Sequence, residues 1–368
     1  MVVRWKRCRA VCDRGQPGER EPLRVGLVQT RWYADAAEHD DRLREGVALA
    51  AAQGATIVCL PELTRSPYFC NTDDPMADGA ARYLEDVETG PTVALAAELA
   101  TILGIAVHAS LYERAEDGGL GYNTAVCVDS DGKLIARTRK NRIPAFPGYR
   151  EDRFRPGDSG FPVVAHEGAR FGFPTCWDEW FPELARAYSL AGAEILVHPT
   201  AIGSEVDLPD FDTRPMWEHA ITANGLANAL FAVVPNRVGT EGRSTFYGSS
   251  FISDPYGRVM LRAPRDREAV LVADLDLDQR RDWLEFGLMR TRRPGLYGSL
   301  TERLDAGAWT DGRRRPLPAS GKGPSDPLEA SSGRPRVTAS PRVTGVRRLR
   351  SPVPAGVRRR RPPRSPNP

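Results

Sequence analysis

The chain has 368 residues, of which 41% are hydrophobic, so it is long enough for one large domain or two ordinary ones. No run of residues approaches the ~18–20 apolar positions of a membrane span, and the basic N-terminal stretch lacks the apolar segment of a signal peptide. The six cysteines show no disulfide framework. These features exclude a disulfide-stapled or membrane-spanning protein and predict a soluble chain in the reducing cytoplasm.

The net charge of +3 conceals an uneven distribution. Residues 1–22 have a net charge of +3 and residues 312–368 of +13, which leaves −13 for the chain between them. The last 57 residues contain 12 of the 31 prolines and show no helical or alternating period. We predict a basic, disordered head at 1–22, one domain at 23–305, and a disordered tail rich in Arg, Pro and Ser at 306–368.

Apolar runs of strand length alternate with helical periods along the domain. In chain order the patterns predict a strand at 24–30, a helix at 36–53 capped by Asp35, a strand at 56–61, a helix at 92–103, a strand at 105–112, a hairpin of 122–128 with 133–139, a strand at 170–175, a helix at 182–190, a strand at 193–199, a helix at 214–229, a strand at 231–235, a hairpin over 245–262 and a strand at 269–276. Hairpins and helical crossovers occur together, so we expect an α/β protein with mixed sheets.

Cys176 lies where the strand predicted at 170–175 runs toward the helix at 182–190. A nucleophile at such an elbow is exposed, and the backbone N–H groups around it can stabilise an oxyanion. From this segment alone, a small buried apolar cysteine is the favoured interpretation. Cys176 is therefore a candidate nucleophile that needs support from other residues.

Three charged residues lie near other predicted strand ends. Glu62 follows the strand at 56–61, where a carboxylate in a dry site suits a general base, although an exposed loop glutamate is the simpler interpretation. Lys140 ends the strand at 133–139 in a chain with only four lysines, and a solvated basic strand end is its alternative. Glu151 follows the next loop, which contains proline and glycine.

Taken together and in order, several segments between residues 23 and 300 resemble the nitrilase, or carbon–nitrogen hydrolase, superfamily. The segments are LPELTRSPYF (60–69), RKNRIPAFPGYREDRFRPGD (139–158), TCWDEWFPELAR (175–186), HPTAIGSE (198–205), NRVG (236–239) and FYGSSFISDPYGRV (246–259). The resemblance implies a four-layer αββα sandwich with mixed sheets, assembly through dimers or larger homo-oligomers, and no cofactor or metal.

The resemblance also implies an activity and a role for each candidate. Glu62 would be the general base, Lys140 the lysine that stabilises the transition state, Cys176 the nucleophile, and Glu151 a second glutamate that positions these groups. The implied reaction is hydrolysis of a non-peptide C–N bond in a small amide or N-carbamoyl compound, releasing ammonia through a cysteine thioester.

The segments CWDEWFPE and PTAIGSE are most like the N-carbamoylputrescine amidase branch of the superfamily. Arg142 stands where that branch has histidine, Ala145 and Phe146 where it has Asp-Gly, and Pro174 interrupts a small aliphatic stretch. The lost acid weakens the case for a cationic diamine substrate. Arg142, if it faces the pocket, favours a substrate with a carboxylate.

The predicted substrate pocket contains residues near the nucleophile and at the end of the strand at 193–199. They are Trp177, Glu179, Trp180, Thr200, Ala201 and Arg142. Trp177 and Trp180 could equally be core aromatics, and His198 is predicted to be a core histidine. Cys8 and Cys12 are weak metal candidates, and we predict no metal site.

Alternative functions remain open from the sequence. A true nitrilase would act on a carbon–nitrogen triple bond and release acid and ammonia. A nucleic-acid or anionic-surface binder could use the +13 segment at 312–368, but this segment has no aromatic residue for base stacking, and the acidic domain would repel phosphate. A non-catalytic relative, or basic ends that are absent from the native protein, are further alternatives.

Overall fold

The structure, a computed structural model, describes residues 2–6, 19–71 and 79–301. The predictions made for Cys8, Cys12 and the tail at 306–368 lie outside these residues. Within them no helix is long and apolar enough to cross a membrane.

Strands and helices alternate along the described part of the chain, as the sequence patterns predict. The first half contains β1 (Val2–Lys6), β2 (Leu23–Gln29), α1 (Ala36–Ala52), β3 (Ile57–Cys59), β4 (Leu84–Glu85), α2 (Pro91–Leu103), β5 (Ala106–Glu113), β6 (Tyr122–Val128), β7 (Leu134–Arg139), β8 (Ala145–Phe146) and β9 (Tyr149–Arg150). The second half contains β10 (Val164–His166), β11 (Ala169–Gly172), α3 (Pro182–Leu190), β12 (Ile195–Val197), α4 (Arg214–Asn228), β13 (Phe231–Val234), β14 (Val238–Glu241), β15 (Ser244–Tyr247), β16 (Phe251–Ser253), β17 (Val259–Arg262), β18 (Ala269–Leu275) and α5 (Asp278–Glu285).

The strands form two large mixed sheets and two small hairpins. The larger sheet has the order β1-β18-β2-β3-β5-β6-β7, with β4 paired to β5, and the smaller has the order β10-β11-β12-β13-β16-β17. Strands β2, β3 and β5 are parallel neighbours joined through α1 and α2, whereas β5, β6 and β7 are antiparallel. The parallel run places the carboxyl ends of its strands at one edge of the sheet.

Alternation along the strands separates the side chains into inner and outer sets. On β3, Ile57 faces the other sheet, whereas Val58 packs with α1 and α2. On β12, Ile195 faces inward, whereas Leu196 packs with α3. The two sheets therefore pack face to face with helices outside them, which confirms the predicted αββα sandwich.

Local signals set the ends of the helices. The side chain of Asp35 accepts a hydrogen bond from the backbone N of Glu38 at 2.8 Å and caps α1, as predicted. Gly104 ends α2 in the left-handed region with φ 66°, a conformation that glycine adopts without steric cost. These two residues fix where α1 begins and where α2 ends.

The structure differs from the sequence prediction in the head of the chain. Val2–Lys6 forms β1, parallel to β18 at the edge of the larger sheet. Nearer the domain, Arg20 forms an ion pair with Glu194 at 2.6 Å, and the backbone N of Glu19 donates to Asp278 at 2.6 Å. At these described positions the head contacts the domain, through a strand added beside β18 and an ion pair with the buried carboxylate of Glu194.

The predicted hairpin over 245–262 is wrong in its first part. Gly248 and Ser249 have φ of 54° and 58°, which interrupts an extended strand. The residues before this break, β15, pair instead with β14, and only β16 and β17 form the hairpin around the Asp254–Gly257 turn. Pro174 likewise lies beyond the end of β11 at Gly172, so this proline removes no hydrogen bond from the sheet.

Candidate active site

The four predicted catalytic residues lie beyond the ends of strands, and the structure buries all of them. Glu62 follows β3, Lys140 directly follows β7, Glu151 follows β9, and Cys176 begins a short 3₁₀ helix after β11. Glu62, Lys140 and Glu151 are each 0% exposed, and Cys176 is 5% exposed. Buried charged groups need partners, so the contacts among them decide what the site can do.

The ammonium group of Lys140 lies between two carboxylates. Its Nζ donates to Oε1 of Glu62 at 2.9 Å and to Oε2 of Glu151 at 2.5 Å. Burial lowers the pKa of Lys140, but the charges of Glu151 and Glu62 more than offset this and raise it well above its usual value. Lys140 is therefore a fixed, permanently charged donor.

Two further side chains, which the sequence analysis missed, complete the contacts of the carboxylates. Asn123 on β6 donates its side-chain N–H to Oε1 of Glu62 at 2.7 Å, and its backbone O accepts from the N of Lys140 at 2.8 Å. Tyr68 donates its hydroxyl to Oε1 of Glu151 at 2.8 Å. The other oxygen of Glu62, Oε2, is buried and has no partner among the described residues, so it is available to accept a proton.

The pKa of the Cys176 thiol depends on the same charged groups. Burial raises its pKa well above the usual value, the charge of Glu62 raises it further, and the charge of Lys140 lowers it. The resting thiol is therefore protonated, and it needs a base before it can attack. The backbone N of Cys176 donates to the carbonyl of Pro199 at 3.0 Å, which fixes the 3₁₀ helix against the end of β12.

Two tryptophans of the 3₁₀ helix that begins at Cys176 contact each other, and one of them also contacts Phe146. The ring of Trp177 is 5.2 Å from that of Phe146 and 6.0 Å from that of Trp180, measured between centroids. Both tryptophans are half-buried, and Nε1 of Trp180 has no partner among the described residues. That Trp177 and Trp180 line a substrate pocket stays a prediction, with which these partial exposures are compatible.

Glu179 and Thr200 contact each other instead of lying free. The Glu179 carboxylate accepts from Nε1 of Trp217 at 2.6 Å and from the hydroxyl of Thr200 at 3.2 Å. Burial raises the pKa of Glu179 well above its usual value. Ala201, which the sequence also assigned to the pocket, is 0% exposed.

Arg142 makes contacts that the sequence did not predict. Its Nη1 lies 3.4 Å from Oδ1 of Asp178, which also accepts from the backbone N of Arg142 at 3.1 Å. The guanidinium lies 4.4 Å from the centroid of the Phe181 ring. Its charge is thus already compensated within the protein, which weakens the argument for a carboxylate-bearing substrate.

His198 is buried at the end of β12, away from the hydrogen bonds that join the four catalytic candidates. Burial lowers its pKa to about 3, so it is neutral and suits the predicted core position. No group of three or more His, Cys, Asp or Glu side chains within the described residues could hold a metal ion.

Comparisons with known proteins show the family of the chain. The model of the carbon–nitrogen hydrolase family matches residues 24–285. The chain belongs to the carbon–nitrogen hydrolase family. It is an enzyme of the nitrilase fold, and its reaction is the hydrolysis of a non-peptide C–N bond.

Two named relatives of this carbon–nitrogen hydrolase are similar over most of their length. The chain is 38% identical to a citrullinase from Francisella tularensis over 76% of this chain and 99% of the relative. It is 37% identical to an N-carbamoylputrescine amidase from Arabidopsis thaliana over 76% of this chain and 95% of the relative.

Solved structures of carbon–nitrogen hydrolases share the fold. A carbon–nitrogen hydrolase from Helicobacter pylori G27 has a TM-score of 0.69 at 29% identity, over 77% of this chain and 99% of that one. A mutant of the amidase from Nesterenkonia sp. AN1 has a TM-score of 0.58 at 25% identity, over 76% and 99%. In that mutant acrylamide has added to the active-site cysteine.

Proposed function

We propose that this carbon–nitrogen hydrolase removes the carbamoyl group from a small ureido compound, with Cys176 as nucleophile and Glu62 as base. One observation supports this most directly. The Lys140 ammonium lies between Glu62 and Glu151, and the charges of Lys140 and Glu62 act on the buried thiol of Cys176. A protonated thiol, a carboxylate with a free oxygen and a fixed cation are the groups that attack on an amide carbon requires.

The first step is attack on the ureido carbon. Oε2 of Glu62 takes the proton from Sγ of Cys176, and the sulfur forms a bond to the carbon. The carbonyl oxygen becomes negatively charged, and the Lys140 ammonium and the backbone N–H of Trp177 stabilise it. Because Lys140 is charged and held before substrate binds, little reorganisation opposes this step.

The second step releases ammonia and then the amine. Protonated Glu62 gives its proton to the terminal nitrogen, the C–N bond breaks, and a carbamoyl thioester remains on Cys176. Water that Glu62 deprotonates attacks the thioester and frees the thiol and a carbamic acid, which decomposes to carbon dioxide and an amine. Glu151 orients Lys140 throughout and exchanges no proton with the substrate.

The named relatives suggest the rest of the substrate. Citrulline and N-carbamoylputrescine share one skeleton, a ureido group on a short aliphatic chain with an amino group, and they differ by one carboxylate. We propose that this shared ureido-alkylamine is the substrate class. The half-buried Trp177 and Trp180 rings would pack against its methylene groups.

Ammonia release from a substrate panel tests this proposal. The panel contains N-carbamoylputrescine, citrulline, N-carbamoyl-β-alanine, a simple amide and a nitrile. Cys176→Ala should reduce release by more than about 1,000-fold, since the nucleophile is lost. Cys127→Ala is the matched control, because Cys127 is also buried but lies in the core between the sheets. Undiminished release by Cys176→Ala would refute the thiol mechanism.

The same panel separates the proposed reaction from a nitrilase reaction, since only the latter converts the nitrile to acid and ammonia.

We further propose that the enzyme works in the cytoplasm as a dimer or larger homo-oligomer. Light scattering on the purified chain tests the assembly, and a monomer at working concentration would contradict it.

A further inference from the structure

Arg237, between β13 and β14, is a buried arginine that the reaction described above does not use. It is 3% exposed. Its Nε and Nη2 donate to the backbone O of Glu62 at 3.1 and 3.0 Å, and Nη2 also donates to the carbonyls of Leu63 and Ser66 at 2.6 Å each. One guanidinium therefore binds three carbonyls of the loop that presents the general base.

This loop has a conformation that needs support. Leu63, directly after Glu62, has φ 49°, a left-handed value that costs a residue with a branched side chain about 1–2 kcal/mol. On the side of β5, Ser110 Oγ accepts from the N of Leu63 at 3.1 Å, and Ser110 O accepts from the N of Thr64 at 2.8 Å. Arg237 supplies the donors for the carbonyls of the same turn.

Glu241 on β14 links Arg237 to the second glutamate of the site. Its Oε1 accepts from Nη1 of Arg237 at 2.7 Å, and its Oε2 accepts from the backbone N of Tyr68 at 2.7 Å. Tyr68 in turn donates its hydroxyl to Glu151 at 2.8 Å. Hydrogen bonds thus connect Glu62 to Glu151 by a path that does not pass through Lys140.

The side chains of Arg237 and Glu241 are suited to holding the loop that contains Glu62 in one position. A guanidinium is planar and presents its donors at fixed angles, whereas an ammonium cannot reach the same four acceptors at once. Glu241, 8% exposed, compensates the buried positive charge. The 2.7 Å ion pair shows that the side chains of Arg237 and Glu241 lie on the same side of the chain, across Gly239 with its φ of 95°.

We propose that the Arg237–Glu241 pair positions Glu62 and Glu151 on the two sides of the Lys140 ammonium, and so sets the geometry in which Cys176 loses its proton. This inference rests on the roles proposed above for those residues. Arg237 and Glu241 are positioning residues, because neither contacts the thiol. Small displacements of a base cost activity steeply, by about 100-fold for 1 Å.

Arg237→Lys and Glu241→Gln test the pair. We expect kcat for the best ureido substrate to fall about 100-fold in Arg237→Lys with KM within about threefold, since binding groups are untouched. Alkylation of Cys176 by iodoacetamide, followed on the Cys176 peptide by mass spectrometry, should change its pH dependence in both variants, because the charges around the thiol have moved.

Two matched controls separate positioning from loss of stability. Arg280 is also buried and donates to the carbonyls of Ser189, Asn228 and Ala229. Glu194 accepts from an arginine, Arg20, and from a backbone N, as Glu241 does. Arg280→Lys and Glu194→Gln should lower the melting temperature but leave kcat and the alkylation profile within about twofold of the wild type.

The outcomes are distinct. If Arg237→Lys and Glu241→Gln change only the melting temperature, as their controls do, the pair is merely structural and the inference is overturned. If Arg237→Lys does not fold, Glu241→Gln decides by the same measurements, because glutamine keeps the size of the side chain but cannot accept from both Arg237 and Tyr68. Activity that persists in Cys176→Ala would instead refute the proposed function and leave the effect of Arg237→Lys to be measured separately.

Discussion

Tyr68 donates its hydroxyl to Oε1 of Glu151 over 2.8 Å, inside the protein, where both residues are at most 1% exposed. Burial raises the pKa of Glu151 above its usual value, and the charge of Lys140 and the hydrogen bond from Tyr68 oppose this rise. The phenol therefore helps to keep Glu151 ionised. An ionised Glu151 is what holds Lys140 in place.

Replacing Tyr68 with Phe should reduce activity mainly at low pH. Without the hydrogen bond the pKa of Glu151 rises further, so the acidic limb of the kcat/KM profile moves to higher pH. At neutral pH we expect kcat/KM to fall about tenfold, which corresponds to the free energy of one hydrogen bond to a charged group. Tyr112→Phe is the control, because Tyr112 is also buried and its hydroxyl hydrogen-bonds to the backbone, donating to the carbonyl of Arg153 at 3.5 Å, and to no carboxylate. Profiles of Tyr68→Phe and wild type that superimpose would contradict the assigned role.

Replacing Lys140 with Met should destabilise the protein as well as inactivate it. The change leaves two buried carboxylates without their cation, which costs about 3–5 kcal/mol of unfolding free energy. Loss of the ammonium raises the pKa of Glu151, so the folded chain binds more protons than the unfolded one, and stability falls as pH rises. Urea unfolding at pH 5 and pH 8 measures this.

Lys133→Met is the control for the lysine variant, since Lys133 is exposed in the turn between β6 and β7. Its unfolding free energy should match the wild type at both pH values. An unfolding free energy of Lys140→Met that is equally reduced at pH 5 and pH 8 would show that the carboxylates do not depend on this cation.

The sequence predicted the groups that lie near strand ends, because those positions have local signals. Glu62, Lys140 and Cys176 each follow an apolar run that the sequence marks as a strand, β3 and β7 in the larger sheet and β11 in the smaller. The helices were predicted for the same reason, since caps such as Asp35 act within one turn.

The supporting residues could not be found in this way. Asn123 reaches Glu62 because β6 pairs with β5 and β7. Arg237 reaches the loop after β3 because the break at Gly248 and Ser249 allows β15 to pair with β14. Such pairings depend on contacts distant in the chain and leave no local period. The signal that the sequence offered was a pair of opposite charges, Arg237 and Glu241, four residues apart.

Replacing Arg142 with Gln should affect two ureido substrates equally. The guanidinium is already engaged by Asp178 and Phe181, so we expect it to contribute little to binding a substrate carboxylate. The kcat/KM values for citrulline and N-carbamoylputrescine should change by the same factor, within about threefold. A loss confined to citrulline would show that Arg142 turns toward the substrate and would restore the case for carboxylate recognition.

The buried His108 on β5 should make the unfolding free energy of the protein depend on pH in acid. The ring is 0% exposed and stacks on Phe173 at 5.3 Å, and neither ring nitrogen has a partner among the described residues. Burial, and then the charge of His198, lowers the pKa of His108 to about 3. Between pH 6.5 and 3 the unfolded chain therefore binds a proton that the folded chain does not bind, and stability falls as pH falls.

Each such histidine should contribute about 1.4 kcal/mol of lost unfolding free energy per pH unit below about pH 6.5. His108→Phe keeps an aromatic ring against Phe173 and removes one titrating group, so the acid slope should decrease by that amount while stability at pH 7.5 is retained. Chemical unfolding at intervals between pH 4 and pH 7.5 measures the slope, with the exposed His219→Gln as control. An unchanged slope in His108→Phe would mean that the folded core already admits the proton, because only a histidine that stays neutral in the folded state makes acid favour the unfolded chain.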